Sequence, residues 1–212
     1  MRIFQLIAGV GLLLCAPPAL AQTAPGARTD SVSHARSVAK FQRDLNHEFS
    51  DPKESPLPAA ARQAFRALPY YPVGYRYCVP ARLVRDSTAA PFAMPTSTAR
   101  RPMYRKYGDL YFTLAGQALK LSVYQNLELM TRPGFADYLF VPFTDLTNGH
   151  GSYGGGRYLD LREPTAGSRT LQLDFNRAYN PSCAYSPAYS CPVPPVENRL
   201  AVAIPAGVQS DY

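Results

Sequence analysis

Apolar residues recur at two different periods along this chain, and the change of period divides it. Val38, Phe41, Leu45 and Phe49 are spaced by three or four residues, which puts them on one face of a helix over 33–49. Asp51-Pro52 and Ser55-Pro56 end that helix, because proline disfavours helical geometry in the residue before it. A second short helix is predicted over 57–68, with Pro58 tolerated in its first turn.

From Tyr75 onward the period is two. The first strand is predicted over 77–84, interrupted at Pro80 and so an edge or a bulge. Residues 89–102 read as a loop. Leu110, Phe112 and Leu114 alternate with polar residues, as do Leu119, Leu121 and Val123, and the Gly116-Gln117 turn between them predicts a hairpin. Leu139, Val141 and Phe143 form the next strand. Segments 157–162 and 171–176 read as a second hairpin, and Leu200, Val202 and Ile204 as a last strand. The expected fold is mainly β, an antiparallel sandwich or partly open barrel of six or more strands preceded by one or two N-terminal helices.

The ends of the chain set its compartment. Arg2, the apolar run 3–14 and Ala19-Leu20-Ala21 read as a secretory signal peptide over 1–21. The run is shorter than the ~20 apolar residues a bilayer span needs. Leu14 stands before Cys15 where a lipobox has a small residue, so cleavage after Ala21 is preferred to a lipid anchor on Cys15. Residues 22–31 read as a disordered tether, and 32–212 as a single β-rich domain. The formal net charge of +7 would suggest nucleic acid in a cytosolic protein. Export removes that expectation, and Arg100, Arg101, Arg105 and Lys106 read as a solvated face. The chain is expected to be exported, periplasmic or secreted, with no transmembrane span after cleavage.

Candidate chemistry gathers in the last third. If the second hairpin keeps Leu159, Leu161, Leu171, Leu173 and Phe175 on the buried face, Tyr158, Asp160, Asp174 and Asn176 share the polar one. In one register Asp160 stands opposite Asp174. Paired carboxylates could perform acid–base hydrolysis, or could be offset by Arg162, a cation or a shared proton. Asp160 and Asp174 are therefore the catalytic candidates, if there is catalysis. No G-x-S-x-G elbow and no phosphate loop pattern is present; the glycines of 149–156 suit a tight turn.

Cys183 and Cys191 lie in one proline-rich loop, and an oxidising compartment favours a disulfide between them, with Cys78 left over, although other pairings remain open. His150 with these cysteines lacks the spacing of common zinc sites, His34 and His47 read as solvated, and no metal or cofactor is expected. Tyr153, Tyr158, Tyr179, Tyr185 and Tyr189, with Asn176, Asn180 and Arg177, could line a pocket for a small polar or saccharide ligand, or could pack over the loop.

G-G-R-Y-L-D-L at 155–161, L-D-F-N-R-A-Y-N-P-S-C-A-Y at 173–185 and C-P-V-P-P-V-E-N-R-L at 191–200 resemble a bacterial family called domain of unknown function 1684. S-P-L at 55–57 and Y-G-D-L-Y-F-T-L at 107–114 extend the resemblance over roughly 38–208. It implies that Arg157, Asp174, Asn176, Asn180, Cys183, Cys191, Glu197 and Asn198 belong to the family's signature, and it brings no activity. The expected function is a non-catalytic binding or structural module with a tyrosine-lined site involving Arg157, Tyr158, Asn176, Tyr179, Asn180, Tyr185, Tyr189, Glu197 and Asn198; the alternative is a hydrolytic or metal-dependent enzyme using Asp160 and Asp174.

Overall fold

The computed structural model describes residues 25–210, so the expected signal peptide lies outside the described residues. Helix α1 spans Pro25–Ser50, beginning within the stretch read as a tether, and α2 is a short helix at Ala59–Ala64. The strands are β1 (Cys78–Arg85), β2 (Phe92–Ala93), β3 (Met103–Leu114), β4 (Gln117–Asn126), β5 (Tyr138–Phe143), β6 (Arg157–Arg162) and β7 (Thr170–Asp174). They form one antiparallel sheet in the order β6-β5-β4-β3-β1-β7, with β2 beside the start of β3. The sheet curls into a half-barrel, which is the mainly β, partly open fold the alternation predicts.

The β3–β4 hairpin forms as expected, one residue earlier at its turn. Ala115 and Gly116 occupy the two turn positions with φ of 50° and 75°, the left-handed pair a two-residue hairpin turn requires. A bulge between Lys106 and Gly108 lets β3 bend, and there β1 approaches closely. A Cβ on Gly108 would sit 2.3 Å from the carbonyl oxygen of Val84, so only glycine fits.

Alternation gives the sheet two apolar faces. Leu83, Leu110, Phe112, Leu121, Val123, Leu139, Val141, Leu159 and Leu173 face the inside of the curl. Leu200, Val202, Ile204 and Ala206 fill it, together with Phe175. These C-terminal residues form no strand, contrary to expectation. Their backbone is held by scattered bonds, such as Leu200 N–H to Thr144 O at 2.8 Å, because the curled interior offers no free sheet edge for a ladder. On the outer face Met94, Tyr104, Tyr124, Phe140, Tyr158 and Cys191 form a second cluster. It lies under two irregular segments that clasp each other: Ser97 N–H donates to Cys191 O and Val193 N–H to Pro95 O. A third cluster joins α1 to the body through Phe49, Leu68 and Val208.

The second predicted hairpin does not exist. β6 and β7 occupy opposite edges of the sheet and do not pair, and β7 forms its ladder with β1. The hydrophobic parity of both segments was read correctly, but parity fixes the buried face and leaves the partner open. The curl brings the two edges toward each other, and Tyr158 and Tyr179 exchange backbone bonds of 2.9 and 3.1 Å at one end of the gap. A seam is left beyond that bridge.

Candidate functional site at the seam

The seam holds a cleft of about 400 Å³ lined by α1 (Ser33, His34, Ser37), by β6 (Leu159, Asp160, Leu161) and by Cys78, Gln172, Asp174 and Arg177. Asp160 and Asp174 are not cross-strand partners, which corrects the register drawn from the sequence. They face one cleft from opposite edges of the sheet.

Each carboxylate has its own support. Asp160 Oδ1 accepts Tyr138 OH at 2.6 Å and Tyr179 OH at 2.8 Å. Crowding by protein atoms raises its pKa, and the two phenols and the Arg162 charge oppose the rise without cancelling it. The residue nevertheless opens to solvent at the cleft surface. Arg162, one of the groups that could have offset the pair, turns away to Asp137 at 2.7 Å and to the carbonyl of Gly134. Asp174 is nearly buried. Its Oδ1 accepts Asn176 Nδ2 at 2.7 Å and Asn176 N–H at 3.1 Å. Its Oδ2 lies 2.9 Å from His34 Nε2 and 3.4 Å from Arg177 Nε.

Cys78 is the true cross-strand partner of Asp174 in the β1–β7 ladder, so their side chains share a face. Burial and the Asp174 charge push its thiol up to about 11. From the sequence Cys78 reads as a cysteine left over from a disulfide and His34 as a solvated residue. The available signal was helical: His34 lies four residues before buried Val38 and so shares the inward face of α1.

The residues proposed for a tyrosine-lined pocket gather only in part: Tyr158 packs edge-on against Tyr179 at 5.8 Å and Asn180 bonds Tyr185, while the others serve separate contacts. Arg157 is fully buried, with Nη2 2.6 Å from Asp145 Oδ2, and it donates to the carbonyls of Ala206 and Ile204. Asn198 is buried and clamps the Ser122 backbone at 2.7 and 2.8 Å and Pro142 O at 2.7 Å. Asn176 clamps Gly74 N–H and O at 2.9 and 3.0 Å. Tyr158 donates to Pro192 O, and Asn180 Nδ2 to Tyr185 OH at 3.2 Å. Tyr185 packs edge-on against Phe49, Tyr189 reaches Ser55 O at 3.4 Å, and the exposed Glu197 accepts Tyr124 OH at 2.8 Å. These contacts satisfy an irregular, proline-rich backbone with few donors of its own. Tyr179 reaches the seam through Asp160.

Cys183 and Cys191 are neighbours but unbonded: the Cys183 N–H donates to Cys191 Sγ at 3.1 Å. Burial pushes the Cys191 thiol up to about 12. His150 is exposed on the glycine turn. No helix among the described residues is long and apolar enough to cross a membrane.

The fold has a solved counterpart. The solution NMR structure of an uncharacterized protein of Haloarcula marismortui is 33% identical, with a TM-score of 0.68, covering 86% of this chain and 97% of that one. No curated protein matches. Residues 63–209 match the family model described as protein of unknown function (DUF1684), a span that includes Cys78, Asp160 and Asp174 but not His34, and the chain belongs to that family.

Proposed function

We propose that this chain is an exported, non-catalytic binding module whose ligand site is the seam cleft, and that the ligand is small and polar, with amine or hydroxyl donors. The carrying observation is that Asp160 and Asp174 present carboxylates to one cleft from opposite sheet edges. Leu159 and Leu161 supply an apolar wall, and Ser33, Ser37 and Gln172 supply neutral polar groups. Such a mixture of an apolar wall and a few placed acceptors is what small-ligand sites use. Both bonds that Asp160 accepts fall on Oδ1, which leaves Oδ2 for a ligand. An amino sugar suits this chemistry, since it offers one cationic amine and several hydroxyls.

Export rests on the leader-like pattern of residues 1–21. In an oxidising compartment the adjacent Cys183 and Cys191 would close their loop as a disulfide, leaving Cys78 as the single thiol.

Calorimetric titration with glucosamine, and with spermidine as an amine lacking hydroxyls, tests the reading. Glucosamine is expected to bind, at least tenfold more weakly to Asp160→Asn and unchanged to Tyr189→Phe. Absence of binding by both probes, or loss in Tyr189→Phe alone, would refute it.

One observation favours the alternative of a hydrolase: the carboxylates share a cleft and Asp160 holds its proton to higher pH than an ordinary carboxyl, as a general acid must. Release of nitrophenol from a nitrophenyl amino-sugar glycoside, abolished by both Asp160→Asn and Asp174→Asn, would establish it.

A further inference from the structure

We infer that His34, Cys78 and Asp174 form a binding site for a divalent transition-metal cation of the zinc type, at the inner end of the seam cleft. One donor atom from each residue lies within 4.8 Å of those of the other two. Three distant segments supply them: α1, the first residue of β1 and the last residue of β7. An imidazole nitrogen, a thiol sulfur and a carboxylate oxygen make the mixed donor set that suits Zn²⁺ or Co²⁺ and does not suit Mg²⁺ or Ca²⁺.

A second observation points to a missing ligand independently of that grouping. The His34 side chain is 9% exposed, yet its Nδ1 has no hydrogen-bond partner. A buried ring nitrogen without a partner is destabilising. The ring is otherwise well fixed, with Nε2 on Asp174 and an edge-on contact to Tyr75 at 5.2 Å. A histidine this well held, with an idle nitrogen in a polar cleft, is arranged for a further interaction.

The surroundings are those of a supported metal site. Asp174 Oδ1 is fixed by two bonds from Asn176, which leaves Oδ2 to ligate. The Asn176 bonds thereby orient the carboxylate, as hydrogen-bond partners of metal-ligating groups do. Arg177, whose Nε lies 3.4 Å from Asp174 Oδ2, is 42% exposed and also bonds Ser37 Oγ at 2.6 Å, so it can withdraw toward solvent. On binding, Cys78 releases its thiol proton to water, while neutral His34 ligates through one ring nitrogen and keeps its single hydrogen on the other, so one proton leaves for each metal bound. Three protein ligands leave a fourth position open to the cleft. That pattern belongs to zinc sites that bind an exogenous ligand; purely structural sites are closed by four. Asp174 belongs to both this site and the amino-sugar reading, whereas Asp160 belongs to the amino-sugar reading alone.

The test uses the purified full chain, stripped with a chelator and titrated with Co²⁺ and Zn²⁺ alone. Co²⁺ is expected to bind at one equivalent, with the near-ultraviolet charge-transfer band of a thiolate ligand, and Zn²⁺ to displace it. Cys78→Ser should abolish the band, and His34→Ala should weaken binding at least tenfold. Both variants must retain the wild-type circular dichroism spectrum to be read. Asp160→Asn should bind Co²⁺ as wild type does, which separates this site from the proposed ligand contact. No band at one equivalent, or a band that survives in Cys78→Ser and is lost in Cys183→Ser with Cys191→Ser, would overturn the assignment.

Discussion

Asp160 and Asp174 come from strands at opposite edges of one sheet and face a single cleft, because the sheet curls until its edges nearly meet. The two carboxylates are kept apart chemically as well. Two phenols hold Asp160, whereas a histidine, an arginine and an asparagine hold Asp174.

Asp160 should reveal its environment through pH. Its folded pKa is raised above the value of an ordinary aspartate carboxyl, so between those two values the folded form holds more protons than the unfolded one. Stability therefore falls as pH rises through that window. Because the group opens to solvent, the effect is under about 1 kcal/mol. Asp160→Asn, which keeps an acceptor for the phenols, is expected to melt at or above wild type at pH 7, with the difference vanishing in acid. A lower melting temperature at pH 7 that recovers in acid would show that the ionised carboxylate stabilises the fold.

The Arg157–Asp145 pair is fully buried, so removing one partner strands a charge. Arg157→Met or Asp145→Ala alone should cost about 3–5 kcal/mol. At about 2–4 °C per kcal/mol for a domain of this size, thermal unfolding should fall by roughly 6–20 °C. The double variant Arg157→Met with Asp145→Asn should recover part of the loss, since no unpaired charge remains. Equal melting of single variants and wild type would mean that the pair is dispensable.

Asn198 ties two strands to the segment that fills the curl. Asn198→Ala strands the Ser122 N–H and the carbonyls of Ser122 and Pro142, at about 1–3 kcal/mol for each group left unsatisfied. Slower-exchanging amides at Ser122 should become fast in this variant, by hydrogen exchange. Unchanged protection there would contradict the clamp.

Two glycines should differ in their tolerance of alanine. Gly116→Ala places a side chain into open space and meets only the strain of a positive φ, about 1–2 kcal/mol. Gly108→Ala drives a Cβ into the Val84 carbonyl, and β1 must move. Denaturant unfolding should rank Gly108→Ala as the more damaging, and the reverse order would show that the bulge yields.

What the sequence carried, and what it did not, follows from which forces act locally. The β3–β4 hairpin was legible because turn chemistry and alternation both lie within one short stretch. The pairing of β6 with β7 was misread because two adjacent amphipathic segments, joined by a short connector, satisfy the same parity whether they pair or face each other across a gap. Leu200, Val202 and Ile204 alternate like a strand, yet their apolarity only dictates burial, and the curl supplies burial without a partner edge. Family resemblance marked Arg157, Asn176 and Asn198, and the fold explains them as buried clamps of backbone and charge. His34 reads as solvated in the sequence because its partners Cys78 and Asp174 are brought to it only by the fold, Asp174 from 140 residues away.

The most direct test of the seam as the binding site is a map of backbone amide shifts as glucosamine is added to isotopically labelled protein. The account predicts shifts concentrated at Asp160, Leu161, Gln172 and Arg177, saturating together. Shifts confined to the loop from Tyr185 to Pro192, with the seam unmoved at saturation, would contradict it and return the site to the tyrosines.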